Sequence, residues 1–190
     1  MTYEKLDNEE LLRIALDAVN QDHHADAVSM LKTLLERDPN HVFATYLLAA
    51  EHAQIGMMDR AEEGFRRTVQ LAPDFPIARF QLGQLFLVKG DTAGARSTLT
   101  PLANLPGNLA LSNYARGLIA AADENAGEAI RHLQDGLACP QEIPALTSDM
   151  RRVIDNLLAL GGTDPRPAAA VSPPASAAPL FLSSYGKTRQ

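Results

Sequence analysis

The sequence predicts an all-α fold, a solenoid of helix-turn-helix pairs with a disordered tail at its C-terminal end. Three observations lead there. Alanines recur at Ala27, Ala61, Ala95 and Ala129, at a constant step along the chain, and a fixed period of this size marks a repeat architecture. Apolar residues in "FATYLLAAEHA" (43–53) and "IARFQLGQLFLV" (77–88) return at three- and four-residue steps, the helical period. Aromatic residues make up only 5% of the chain and Trp is absent, which suits closely packed small-residue helices better than a sandwich or barrel.

Other columns keep the same register. Four residues after each alanine stands a large apolar side chain: Leu31, Phe65, Leu99 and Leu133. Twelve before it stands a small one: Ala15, Ala49, Gly83 and Gly117. Pairing small with large lets two helices approach to about 8–10 Å. Gly56 and Gly90 read as helix stops, Asp59 and Asp91 as caps for the following helix, and Pro39 and Pro73 as the close of each second helix. Pro101 falls inside an expected second helix and should kink or shorten it.

This recurring pattern of small residue, alanine, large apolar residue and proline resembles the tetratricopeptide repeat. The resemblance implies a right-handed solenoid of four repeats, at about 8–41, 42–75, 76–109 and 110–143, filling residues 1–143. The departures are specific. The family's aromatic before the small residue is replaced by Leu11, Thr45, Arg79 and Asn113, and the closing proline gives way to Gly107 and Gln141. Arg116 and Gly136 stand in the fourth repeat where apolar residues usually pack.

Beyond the repeats, "TSDMRRVIDNLLALGG" reads as a capping helix within 144–160. Thr147 or Ser148 is its expected cap, Met150, Val153, Ile154, Leu157 and Leu158 form its apolar stripe, and Gly161 ends it. Residues 161–179 are rich in Pro and Ala and read as a linker. The segment 180–190 then gathers Leu180, Phe181, Leu182 and Tyr185 at the tip of that tether.

Charge and composition narrow the function. The formal net charge is −6, which argues against a nucleic-acid or anionic-membrane surface. Residues 161–190 carry a net +2, so the body stands at −8. A single cysteine, Cys139, precludes an intrachain disulfide framework and reads as a structural thiol. The start of the chain lacks a basic n-region and an apolar run, and no stretch reaches the roughly 20 apolar residues of a membrane span. A cytoplasmic protein is the expectation.

No constellation carries catalysis. "GKT" at 186–188 lacks the glycine a phosphate loop needs, since Phe181 stands in its place. The histidines, His41 and His52 among them, are too scattered to share a metal and read as solvated surface. Paired acids such as Glu62 and Glu63 read as solvated helix faces. No cofactor, metal or enzymatic activity is expected.

The first helices carry more apolar surface than one packing stripe needs. Leu12, Tyr46, Phe80 and Tyr114 recur at the repeat period; Phe43, Ile77 and Leu111 lie three residues earlier in their repeats; Leu16, Ala50, Gln84 and Leu118 occupy the next turn. The family superhelix would put these columns on the concave face. Two readings stand: a groove for an extended apolar peptide, or rings buried by tight curvature. The tyrosines favour the groove, whose rim would leave each hydroxyl in water. Some members of the family grip a terminal carboxylate with Lys, Arg and Asn on these columns. Here only Arg13, Gln81 and Gln84 interrupt the apolar surface, so that mode is not expected. In surface character the chain is similar to the small bacterial tetratricopeptide chaperones that shield apolar segments of secreted cargo.

The expected function is therefore a non-enzymatic protein-interaction module, an adaptor or chaperone in a larger, bacterial assembly. Its partner would present an extended apolar segment. Eight extended residues of the tail span at most about 26–29 Å, and four first helices set about 8–10 Å apart offer a groove of similar length. The tail could thus fold back as a plug, act as bait for another protein, exchange between copies, or be a bare end. The alternative function is a structural homo-oligomer with exchanged tails and no external client.

Overall fold

A computed structural model describes residues 6–141 and 144–161. Among the described residues there are nine α-helices and no strand. The chain divides into two compact units, the first ending at Arg79 and the second starting at Phe80. The first unit holds α1 (Asn8–Asn20), α2 (His24–Arg37), α3 (Val42–Gln54), α4 (Met58–Leu71) and the start of α5 (Pro76–Val88). The second holds the rest of α5, then α6 (Thr92–Ala103), α7 (Leu109–Ala122), α8 (Ala126–Ala138) and α9 (Pro144–Ala159).

The period is visible in the helix boundaries. The second helices start at His24, Met58, Thr92 and Ala126, at the same constant step as the alanines. Before each of them one residue adopts the left-handed conformation: Asp22 (φ 57), Gly56 (φ 78), Gly90 (φ 77) and Glu124 (φ 58). The turn geometry thus repeats even where the glycine does not, because the preceding helix must end and the chain reverse in the same few residues. Pro101 lies inside α6, which at 12 residues is shorter than α2 and α4 at 14.

Caps come partly from other residues than expected. Asp7 and Glu10 form a capping box at α1. Asp91, Asn108 and Asn125 each accept a backbone N–H of the helix that follows. Asp59 does not cap α4; it lies in the first turn, after an N-cap at Met57 that makes no side-chain cap bond. Nor do Thr147 and Ser148 cap the last helix. That helix starts at Pro144, since proline at the first helical position loses no needed hydrogen bond, and the Thr147 hydroxyl donates instead to Gln141 Oε1 at 3.3 Å.

Packing follows the small-on-large rule in both units. Ala27, Ala61, Ala95 and Ala129 are fully buried, as are Leu31, Phe65, Leu99 and Leu133. A Cβ added at Gly83 would come within 2.4 Å of Leu99 Cγ, and one at Gly117 within 2.7 Å of Leu133. In the first unit, a Cβ on Gly64 would lie 2.6 Å from the Ala49 Cβ. Within the first unit α1 packs on α2, α2 on α3 and α3 on α4; within the second, α6 packs on α7, α7 on α8 and α8 on α9.

Candidate functional site

In the first unit the candidate groove residues sit on α1, α3 and the start of α5. Leu12, Leu16 and Phe43 are half-buried, while Tyr46, Ala50 and Ile77 are buried. Tyr46 joins an aromatic cluster: its ring centroid lies 6.1 Å from Phe43, 6.0 Å from Phe65 and 5.0 Å from Phe75. Phe43 stacks almost parallel to it, and the other two rings are tilted, arrangements that suit the ring quadrupoles.

In the second unit all five candidates, Phe80, Gln84, Leu111, Tyr114 and Leu118, are buried. Tyr114 shows why. Its ring lies over Gly136 of α8, where an added Cβ would fall 2.5 Å from Cδ1 and Cε1. Its hydroxyl donates to Gln141 Oε1 at 2.7 Å, and burial pushes its pKa up. The expectation that the tyrosines keep one rim in water is therefore corrected: Tyr46 is 0% exposed and Tyr114 1%. Neighbouring rings and a glycine notch absorb them.

Two residues gain roles that sequence reasoning missed. Gln141 replaces the family proline, and its amide donates to the carbonyls of Gly136 (2.9 Å) and Cys139 (2.6 Å) while its oxygen accepts from Tyr114 and Thr147. It ties the end of α8 to α7 and α9. The signal was the departure itself, a polar residue where the family has none. Gly136, which stands where the family usually packs an apolar residue, is the space that Tyr114 fills.

His52 is the other correction. Expected at the surface, it is 7% exposed, and its Nε2 is buried without a hydrogen-bond partner. Burial first, then the Lys32 and Arg60 charges, lower its pKa. Beside it in sequence, Glu51 is fully buried and its Oε2 meets His24 Nδ1 at 2.8 Å. Burial raises the Glu51 pKa, and the His24 bond works against that rise. Cys139 is half-buried, its thiol donating to the Asp135 carbonyl at 3.3 Å. Leu180, Phe181, Leu182 and Tyr185 lie outside the described residues.

Tandem helix pairs, packed through one recurring code of small and large residues, are the architecture of a repeat scaffold. A family model described as tetratricopeptide repeat matches residues 12–74 and 51–100. Solved structures share the fold. The thermophilic TPR protein TTC0263 of Thermus thermophilus superimposes with a TM-score of 0.67 at 20% identity, covering 82% of this chain and 84% of that one. MamA of Desulfovibrio magneticus RS-1 gives 0.60 at 20% identity, covering 81% of this chain and 91% of that one. Another MamA structure gives 0.61 at 19% identity over 70% of this chain and 78% of its own. No curated protein matches the chain in sequence. Residues 12–100 belong to the tetratricopeptide repeat family, and the described helices share the fold of a tetratricopeptide repeat protein. The fold is that of a protein-interaction scaffold, and no helix among the described residues is long and apolar enough to cross a membrane.

Proposed function

We propose that this protein is a non-enzymatic adaptor or chaperone that holds an extended apolar segment of a partner protein against its first helices. The observation that carries this reading is the incomplete burial of Leu12, Leu16 and Phe43. They belong to columns whose later members are buried, so the apolar surface stays open at the start of the array. Tyr46, Ala50 and Ile77 are buried in the first unit and shape the helices behind that surface, while Phe80, Gln84, Leu111, Tyr114 and Leu118 pack within the second unit.

The segment 180–190 is the proposed internal ligand, with 161–179 as its tether. Burying two Leu, one Phe and one Tyr gains roughly 6–10 kcal/mol gross, and fixing about eight backbone residues costs about 8–12 kcal/mol. Binding in trans is therefore weak, and a tether with millimolar effective concentration makes it adequate in cis. A tighter client displaces such a plug.

The test uses the full chain with Leu180, Phe181, Leu182 and Tyr185 changed to Ser, titrated against a labelled peptide of residues 178–190 by fluorescence anisotropy. Saturable binding weakened by Phe43→Ser and by Leu16→Ser is the expected result. A titration without binding removes the tail as ligand. A mass that rises with concentration in the unaltered chain and collapses in the Ser variant supports tail exchange between copies instead.

A further inference from the structure

The first unit contains a cleft of about 480 Å³ between α2, α3 and α4 that the groove reading does not use. Its floor is apolar, from Leu35, Leu48 and Ala49. Its polar side chains are Lys32 of α2, Thr45 and His52 of α3, and Arg60, Glu63 and Arg67 of α4. Three cations thus face one carboxylate, on a protein whose net charge is −6. His52 lies nine residues beyond Phe43 on the same helix, half a turn round its axis, so the cleft and the proposed groove occupy opposite faces of α3.

Two observations set this cleft apart from ordinary charged helix surface. The first is His52 itself: nine-tenths buried, lining the cleft, with no hydrogen-bond partner for Nε2. A buried polar atom left unmade costs about 1–3 kcal/mol, and the positions one repeat away in the same column hold Ala18 and Phe86, so the fold does not demand a polar residue there. The second is the state of the cations. Neither Lys32 nor Arg60 has an ion-pair or hydrogen-bond partner among the described residues, whereas Arg67 donates to the Pro39 carbonyl at 2.8 Å.

The same positions two repeats on behave differently. Thr100 replaces Lys32, Ala120 replaces His52, and Glu128, Arg131 and Asp135 replace Arg60, Glu63 and Arg67. There Arg131 pairs with both neighbours, with Glu128 at 3.7 Å and Asp135 at 3.4 Å. The scaffold closes its own charges in the fourth repeat and leaves cations open where the first and second repeats meet.

We propose that this cleft is a second binding site, independent of the groove, which receives a carboxylate side chain from an acidic, partly apolar segment of a partner protein. Lys32 and Arg60 neutralise the incoming carboxylate, His52 supplies a hydrogen bond to it, and Leu35, Leu48 and Ala49 take the apolar side chains that flank it. Glu63 selects a single negative charge over a phosphate dianion, because each added charge on the ligand is repelled by its carboxylate. Burial and the two cations lower the His52 pKa in the free protein, and an arriving anion works against that shift.

The experiment is a titration of the isotope-labelled full chain with a synthetic peptide in which two glutamates alternate with leucines, followed by nuclear magnetic resonance. A peptide with glutamines in their place and inorganic phosphate are the parallel titrants. The expected result is a shift of the His52 imidazole and of backbone amides in α2, α3 and α4 with the glutamate peptide. The glutamine peptide and phosphate should act only weakly. His52→Phe, which borrows the residue of the next repeat, should weaken binding about 10-fold. Lys32→Ala and Arg60→Ala should each cost about 2- to 5-fold, and the Lys32→Glu, Arg60→Glu pair should abolish binding with an unchanged thermal transition.

Equal response to the glutamate and glutamine peptides, binding that survives charge reversal, or the absence of any shift at His52 would overturn the proposal. Tighter binding of phosphate than of the glutamate peptide would overturn it too, and would leave a small-anion pocket. Because Phe43→Ser lies on the other face of α3, it should leave this titration unchanged. The two sites are thereby separable.

Discussion

The second and fourth repeats place a tyrosine at the same position of the repeat period and bury it by different means. Tyr46, in the first unit, sits among Phe43, Phe65 and Phe75, so neighbouring rings fill the space around it. Tyr114, in the second, has a glycine beneath it and a glutamine at its hydroxyl. Where Tyr114 meets Gln141, the corresponding position for Tyr46 is Pro73. The repeat code specifies that a ring enters at this point. It leaves open whether other rings or a notch with a hydrogen bond will receive it.

Deleting the rings is the most severe test of this difference. Tyr46→Ala and Tyr114→Ala should each cost about 3–5 kcal/mol of stability, measured by denaturant unfolding, because both delete a fully buried aromatic. If Tyr114→Ala proved mild, α8 would have collapsed onto the vacancy beside Gly136, and the notch would be adaptable rather than shaped. Filling the notch tests the same point from the other side. Gly136→Ala should destabilise by about 1–3 kcal/mol despite its better helix propensity, since the added methyl meets the Tyr114 ring.

A pH measurement extends the contrast to the capping of the second unit. Asp149 of α9 is buried, and that burial holds its carboxyl up at about 7, with Arg152 opposing the rise. Between the ordinary value of 3.8 and about 7 the folded chain keeps a proton that the unfolded chain releases. Stability contributed by the protonated acid is therefore present at low pH and lost as pH rises through this window. Asp149→Asn should flatten that decline, and at pH 8 it should gain about 1–3 kcal/mol relative to the wild type. Thermal melts at two pH values decide it.

The smallest effect concerns the turns. Asp22 and Glu124 adopt the left-handed conformation that Gly56 and Gly90 adopt at the matching positions. Glu124→Gly should stabilise by about 1 kcal/mol, because the side chain no longer strains that conformation. Asp22→Gly should gain less, since a short polar side chain tolerates it better. A pair of thermal melts compares the two.

Much of the fold was legible in the sequence because its determinants are local or periodic. Ala27, Ala61, Ala95 and Ala129 mark the close helix contacts, and all four are buried. Gly56 and Gly90 mark turns that the structure shows at positive φ. The caps were less legible. Asp59 and Thr147 have the right chemistry for caps, but helix starts at Met58 and Pro144 leave them inside their helices.

The candidate site was legible only as a set of apolar columns. Periodicity says which face of a helix a residue occupies, and two faces of a first helix can both be apolar for different reasons. Tyr46, Phe80, Leu111, Tyr114 and Leu118 are buried, while Leu12, Leu16 and Phe43 stay partly open. Burial depends on what neighbouring helices bring to the same point, and that cannot be read from one column alone. The same limit hid His52, whose residue type suggested surface and whose position places it inside.

The architecture is written along the chain in one dimension: the period, the helix pairs, the left-handed turns and the small-on-large contacts. Each follows from backbone sterics or from side-chain volumes at fixed spacing, which a linear pattern can encode. It took the folded chain to make Gly136 a space for Tyr114, to let Gln141 bind α7, α8 and α9 together, and to line one cleft with Lys32, His52 and Arg60. Those outcomes depend on side chains from different helices meeting in space, where packing and desolvation, not propensity, set the energy.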